Sequence, residues 1–193
     1  MAPNPELARL GVTGALRVAA LSTTIPTDLT AWPPGWADLG YISDEGITEG
    51  RDENQETFIP WQSNSPIRVE TTSATETFQA TLWETNFDVI SLYYRKGLDE
   101  MTETGTGADT MVSFTVGGKP KRDLRKFGID VIDGTYARRI ILPYAEVTER
   151  GELTYVSNAL IGYQVTITAY EGSDGVSTLR MYREGWTLPV VAP

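Results

Sequence analysis

The sequence predicts a mainly β fold with a single helix, on three observations. Eighteen glycines and eleven prolines punctuate short runs rich in Thr, Val, Ile and Tyr, the residue types that favour strands. Two segments alternate apolar and polar residues with the two-residue period of a half-buried strand. One segment alone carries both capping residues and an apolar stripe at helical spacing.

In chain order, residues 14–21 (GALRVAAL) read as the first strand. In the next stretch, STTIPTDLTAWPPGWA, Pro26, Pro33 and Pro34 remove backbone donors and forbid regular ladder pairing. A long connection is expected there. A short extended piece follows around Leu39 to Ile42 and a strand at 56–62. Between them SDEGITEGRDENQ, with Gly46 and Gly50, is expected as an exposed loop or protruding hairpin. At 75–84, Phe78, Ala80 and Leu82 face one way and Thr77, Gln79 and Thr81 the other. The helix is expected over Asn86 to Lys96, capped by Thr85 or Asn86, with Asp88 in the first turn, Gly97 ending it, and Phe87, Ile90 and Tyr94 as its buried stripe. The stretch LDEMTETGTGADT reads as an acidic loop. In GIDVIDGTYARRIILPYA, Asp133-Gly134 is the pair a two-residue hairpin turn favours, which sets Val131 opposite Tyr136 and Ile129 opposite Arg138. Arg139 and Ile141 share the other face, so this sheet has no cleanly wet side. Two readings of that face are open: contact with another subunit, or arginine stems lying over a core edge. At 163–170, Tyr163, Val165, Ile167 and Ala169 share a face opposite Gln164, Thr166 and Thr168.

The length of 193 residues favours one domain, and 40% hydrophobic with 22% charged residues is a globular composition. With no cysteine and no histidine, disulfides, thiolate chemistry, thiolate or imidazole zinc sites and imidazole catalysis are excluded. Gly117-Gly118-Lys119-Pro120 has neither the spacing nor the hydroxyl of a phosphate-binding loop, and G-x-S-x-G is missing. Paired carboxylates beside Trp32, Trp36, Trp61, Trp83 and Trp186 could in principle form a glycosidase or carbohydrate-binding groove, but tryptophans serve more often as core and interface anchors. No catalytic, cofactor-binding or metal-binding residue is assigned, and no cofactor is expected. No apolar run approaches the ~20 residues of a membrane-spanning helix, and Pro3, Pro5 and Glu6 stand where a signal peptide would be basic and then apolar. No membrane association is expected. Sixteen basic residues against 26 acidic ones give a net charge of −10, which argues against tight binding of nucleic acid and not against its passage.

Charge is also segregated. Asp44, Glu45, Glu49, Asp52, Glu53 and Glu56 face only Arg51 in their segment, whereas Lys119, Lys121, Arg122, Arg125 and Lys126 face only Asp123 in theirs. The acids do not follow the spacing of a calcium loop. The two segments are either solvated loops or partners across a subunit boundary, with Ile47 and Phe58 as apolar members of such a contact.

Three extended runs, GWADLGYISDEGITEG at 35–50, ATLWETNFDVISLYY at 80–94 and IDVIDGTYARRIILPYAEVTERGELTYVSNALIGYQVTITAY at 129–170, resemble the major tail protein, or tail tube protein, of long-tailed bacteriophages with non-contractile tails. The resemblance covers about Gly35 to Tyr170. It implies two packed antiparallel sheets, a sandwich or partly closed barrel, with one flanking helix. It also implies one tail-tube domain over 1–193, with segment 1–34 and the long loop 43–57 reaching neighbouring subunits. Some relatives carry an additional immunoglobulin-like domain, for which the chain after its last strand leaves no room. The implied function is a structural virion protein, not an enzyme, that forms stacked hexameric rings as a conduit for genome delivery. Its implied partners are itself, a tape measure protein, a tail terminator, distal tail proteins and double-stranded DNA in passage; its place is the virion tail, and the host cytoplasm during assembly. Inter-subunit candidates are the two charge clusters with Ile47, Phe58, Arg138 and Arg139. Lumen candidates are the strand residues Gln79, Thr81, Gln164 and Thr166 or the loop acids Glu100 and Glu103, between which periodicity does not choose. A capsid decoration protein or a carbohydrate-binding β-sandwich is the alternative from another class.

Overall fold

The computed structural model describes residues 4–185; Trp186, named above as a groove tryptophan, and the outer ends of the predicted domain lie outside them. The strands are β1 (Thr13–Ala19), β2 (Trp36–Asp38), β3 (Ile42–Phe58), β4 (Arg68–Leu82), β5 (Thr102–Thr104), β6 (Met111–Ser113), β7 (Arg125–Asp133), β8 (Tyr136–Arg150), β9 (Tyr163–Ala169) and β10 (Leu179–Arg183), with one helix, α1 (Phe87–Tyr94). The main sheet is antiparallel with order β2-β1-β7-β8-β9-β4-β3, and β10 pairs with β8 as well; β5 and β6 form a separate ribbon.

The two packed sheets are continuous, because β8 belongs to both. Its first half (Ala137–Ile141) pairs with β10 and its second half (Ala145–Arg150) with β9, on the same edge. Pro143, which lacks a backbone donor, sits where the partner changes and where the pairing with β7 is irregular. The sheet folds over itself at that point. Leu16, Phe127, Ile129 and Leu142 from one half meet Phe78, Leu82, Val165 and Ile167 from the other in a single core. The sheet does not close into a barrel: β1 and β3 face each other across an open seam.

The apolar faces expected for β4 and β9 are the faces the core buries. Asn86 caps α1, its side chain accepting from the Val89 N–H at 3.0 Å. Two expectations about the helix are corrected. Val89 and Leu92, not Phe87 and Tyr94, are its buried stripe, and Phe87 is exposed. The helix stops two residues earlier than expected, at Tyr94, with Arg95 in the left-handed region (φ 54°), where the N–H of Lys96 donates to Ser91 O at 3.0 Å, so Gly97 is not its cap.

The segment expected as a loop at 43–57 is a strand, and the strand expected at 56–62 ends at Phe58. Together β3 and the first half of β4 form a two-stranded arm, exposed on both faces from Arg51 to Thr75. The acidic stretch 98–110 is not one loop: it holds two short 3₁₀ turns with β5 between them, and β5 pairs with β6 just after it as a ribbon.

The β7–β8 hairpin forms with its register displaced from expectation: Asp133 pairs with Tyr136, Val131 with Arg138 and Ile129 with Ile140. The turn residues are therefore Gly134 and Thr135, and only Gly134 has positive φ (60°). That is the pattern of a turn needing glycine at its first central position, whereas the expected register required positive φ at both. No atom lies within 4 Å of where a Gly134 Cβ would stand, so a side chain there costs backbone strain alone. Gly134→Val is expected to lower stability by about 1–3 kcal/mol, measured by urea titration; an unchanged midpoint would contradict the turn.

The mixed face of β8 has a third explanation. Residues of the proline-rich connection fold back over it: Ile25, Trp32 and Trp36 pack with Ala19, Ile141 and Met181 in a second small core. Gly128 makes the seat for the Trp32 indole, which any Cβ at that position would overlap. Arg139, 4% exposed, donates to both Asp130 carboxylate oxygens (2.7 and 3.1 Å) and to the carbonyls of Asp28 and Thr30 at 3.0 Å, under the Trp32 ring. This face of the sheet is covered by the protein's own chain.

Candidate assembly surfaces

Three surfaces remain after the chain has covered itself. The first is the arm. Asp44 and Glu45 project from a wide irregularity of β3 between Ile42 and Ile47, with Gly46 at positive φ; Ile47 itself packs against the core. Glu49 is held by Arg180 at 2.6 Å, and Glu53 by Arg51 at 2.6 Å. Asp52 and Glu56 are exposed and form no ion pair among the described residues. Glu56 even stands directly opposite Glu70 in the ladder, where like charges repel. Beyond them the tip is apolar: Phe58, Ile59, Ile67 and Val69 are exposed, and Trp61 is 98% exposed.

The second surface is the outward face of β9, β4 and β3. Tyr163, on the apolar face of β9, meets Tyr93 of α1 edge-on at 5.4 Å, which puts the helix on the core side. On the other side Gln79 pairs with Thr166 and Thr81 with Gln164, and Thr48 extends the row on β3. These four strand candidates form one neutral polar patch. The loop candidates lie elsewhere: Glu100 is bonded to Lys96 at 2.8 Å and to the Gly97 N–H, and Glu103 is exposed on the β5–β6 ribbon.

The third surface is a cleft of about 650 Å³ at the C-terminal end of α1, lined by Tyr93, Tyr94, Arg95, Lys96, Glu100, residues 116–121, Thr148 and Arg150. Here the basic cluster divides. Lys119 and Lys121 line the cleft and are exposed; exposed Arg122 lies 3.8 Å from Glu146. Arg125 is engaged by Asp123 and Ser91, and the Lys126 ammonium by the Thr23 carbonyl. Arg95 and Arg150 escaped sequence reasoning, since nothing local marks two arginines 55 positions apart as neighbours. Their hydrogen bonds go to carbonyls: Arg95 to Val147 O, Arg150 to Tyr93 O, Leu92 O and Val147 O. Burial, and then the charge of Arg95, pull Arg150 below the usual guanidinium value.

A separate cluster ties the first residues to the sheet. Glu184, 7% exposed, receives Arg138 and Arg9 (3.1 Å), whose guanidinium stacks on Tyr136 at 3.5 Å, while the Leu10 N–H donates to Asp133 at 3.1 Å. The hydrogen bond from Arg138 holds the Glu184 carboxyl below its ordinary value, Arg9 adding to it. A depressed folded value means a stabilisation complete above the ordinary carboxylate range and lost as pH falls through the folded value. The melting temperatures of the protein and of Glu184→Gln should thus differ at neutral pH and converge in acid; a constant gap would contradict this account.

Among the described residues no group of three or more acidic side chains is placed to hold a metal ion, and no helix is long and apolar enough to cross a membrane. Trp32 and Trp36 are packed on each other at 4.6 Å and Trp61 stands at the arm tip, so these three line no common groove. Among the described residues the fold offers a long arm, an open sheet edge and charged surfaces. Over residues 1–189 the sequence matches the family described as phage tail tube protein, and the chain belongs to that family. The family is one of tail structural proteins, components of the virion tail, and not of enzymes. Comparison with curated protein sequences gives no match. Among solved structures, the sheath/tube terminator of an extracellular contractile injection system (PVC) in the extended state is similar at 10% identity and a TM-score of 0.41, covering 94% of this chain and 98% of that one. The sheath–tube complex of such a system is similar at 10% identity and a TM-score of 0.39, covering 87% of each chain.

Proposed function

We propose that this chain is the building block of the tail tube of a phage with a non-contractile tail: one tail-tube domain whose copies close into hexameric rings, stacked around a lumen through which the genome leaves. The observation that carries this reading is the family match along residues 1–189, and two physical features support it. The β3 strand, 17 residues long, pairs on one side only. A free edge of that length invites uncontrolled pairing unless neighbouring copies consume it, and head-to-tail contacts around a ring consume both edges of each sheet. The net charge of −10 also suits a conduit, since an acidic particle repels phosphates overall and a lumen face without cations gives the duplex nothing to stick to. The neutral patch of Gln79, Thr81, Gln164 and Thr166 is the lumen face in this reading. The arm, with its six acids, and the segment before Gly35 reach neighbouring copies, and the rings meet a tape measure protein, a terminator and distal tail proteins, assembling in the host cytoplasm.

Electron microscopy of the purified protein tests the proposal: rings or tubes with a central hole are expected, and discrete monomers that bind a glycan would favour a decoration or carbohydrate-binding protein instead. Duplex DNA is expected to bind more weakly than about 10 micromolar at physiological salt. Tighter binding that falls steeply with added salt would count against a passive conduit.

A further inference from the structure

The cleft at the end of α1 holds positive charge that the chain does not neutralise, which is unusual in a protein of net charge −10. The bonds of Arg95 and Arg150 go to carbonyl oxygens, dipoles that satisfy hydrogen bonds without cancelling a charge. The Arg95 Nε is buried without a hydrogen-bond partner. Its residue is held at φ 54°, a conformation that costs a side-chain-bearing residue about 1–2 kcal/mol and that glycine would adopt freely. Lys119 and Lys121 add two exposed ammonium groups at the rim; the acids nearby, Glu100, Asp123 and Glu146, are already engaged by Lys96, Arg125 and Arg122, which leaves the cations in excess. Half-buried guanidinium groups such as those of Arg95 and Arg150 gain from an anionic partner. Beside them lie two tyrosine rings, Tyr93 and Tyr94, 5.1 Å apart, which can receive an aromatic side chain.

The arm presents the complement. Asp52, Glu56 and Phe58 share one face of β3 by the two-residue period, the two carboxylates without ion pairs among the described residues, and Trp61 stands fully exposed just beyond. We propose that the distal arm of one copy docks in this cleft of a second copy, the Asp52 and Glu56 carboxylates meeting Arg95, Arg150 and the two lysines while Trp61 packs on the tyrosines. This rests on the assembly reading above and names the receptor for the arm. Nucleic acid is the other polyanion the cleft could take; a chain of net charge −10 repels a polymer with a phosphate at every residue more than an arm segment bringing two carboxylates.

Because the chain has no cysteine, single thiols can be placed at will. Chains carrying Gln62→Cys at the arm tip are mixed with chains carrying Val116→Cys, an exposed position lining the cleft that takes no part in the proposed ion pairs, oxidised, and compared with a mixture of Gln62→Cys and Thr135→Cys. Thr135 is exposed in the turn at the far end of β7 from the cleft. A cleft disulfide at least about tenfold faster than the control is expected, and charge reversal of Asp52 and Glu56 to lysine should abolish the difference. Adding Arg95→Gly to the Val116→Cys chain should also slow it about tenfold, although glycine suits the left-handed cap and the fold persists. Equal rates for the two pairs, with tubes visible by microscopy, would place the arm elsewhere and leave the tube reading standing. A fast cleft disulfide without rings or tubes would keep the docking and remove the tube. Protection of the cleft thiol by duplex DNA, with no cross-link to the arm, would overturn the proposal in favour of nucleic acid.

Discussion

Replacing Arg139 with alanine is expected to cost about 3–5 kcal/mol, a large part of the ~5–15 kcal/mol that holds a domain of this size. The side chain is a buried hub. It pairs with Asp130 across the β7–β8 ladder, binds the carbonyls of Asp28 and Thr30, and lies under Trp32, whose indole N–H donates to the same Asp130 at 2.6 Å. Truncation strands a half-buried carboxylate and two carbonyls and releases the connection from the sheet. Asp130→Asn alone should also destabilise, and the double variant should lose less than the sum of the two, because each single change already breaks the same pair. Urea titration at neutral pH measures all three. A loss below about 1 kcal/mol for Arg139→Ala would show that Ile25 and Trp36 hold the connection without the hub.

That hub illustrates what the sequence conceals. The alternation in β4 and β9 is local, and it placed the core face of both strands residue by residue; the cap at Asn86 is local and was equally legible. The arginines and apolar residues on both faces of β8 were visible as an anomaly, but its resolution lies in a contact between residues 98 positions apart, Trp32 and Asp130, and local pattern carries no trace of such a pairing. The β7–β8 register failed for a different reason. Asp-Gly favours a turn with two positive φ values, yet glycine alone also satisfies a turn needing one, and moving the turn by one residue displaces every partner by two, which keeps each side chain on its face and sets Ile129 opposite Ile140. Gly46 and Gly50 point to an exposed loop or a protruding hairpin within residues 43–57 because they can turn the chain, and a strand running straight through these acids is not what their propensity favours. Its partner supplies what the acids lack: the first ten residues of β4, RVETTSATET, are rich in threonine, and their pairing with residues 50–58 holds β3 extended. The cleft was the least legible site. Lys119 and Lys121 stood out as a run, whereas Arg95 and Arg150 are isolated in sequence and gain meaning only where the end of α1 meets the end of β8.

Shortening the arm is expected to separate assembly from folding more completely than any point change. Replacing residues 54–73 with Asn-Gly would join Glu53 to Ala74, which are already ladder partners, through a turn sequence suited to a two-residue hairpin. The removed residues are exposed apart from half-buried Pro60, and none belongs to the core, so the melting temperature of the subunit should shift by no more than a few degrees, roughly the effect of 1 kcal/mol. Assembly should respond very differently. An exposed tryptophan that becomes buried at the centre of a contact contributes about 2–4 kcal/mol, so Trp61→Ala alone should raise the concentration needed for tube growth by roughly two orders of magnitude. The shortened chain should fail to grow tubes at any accessible concentration. Sedimentation and electron microscopy at matched concentrations read both outcomes. If the shortened chain grew tubes as readily as the intact one, the arm would have no part in assembly, and its acids and apolar tip would need another use; if it failed to fold, the arm would be part of the subunit's own stability despite its exposure.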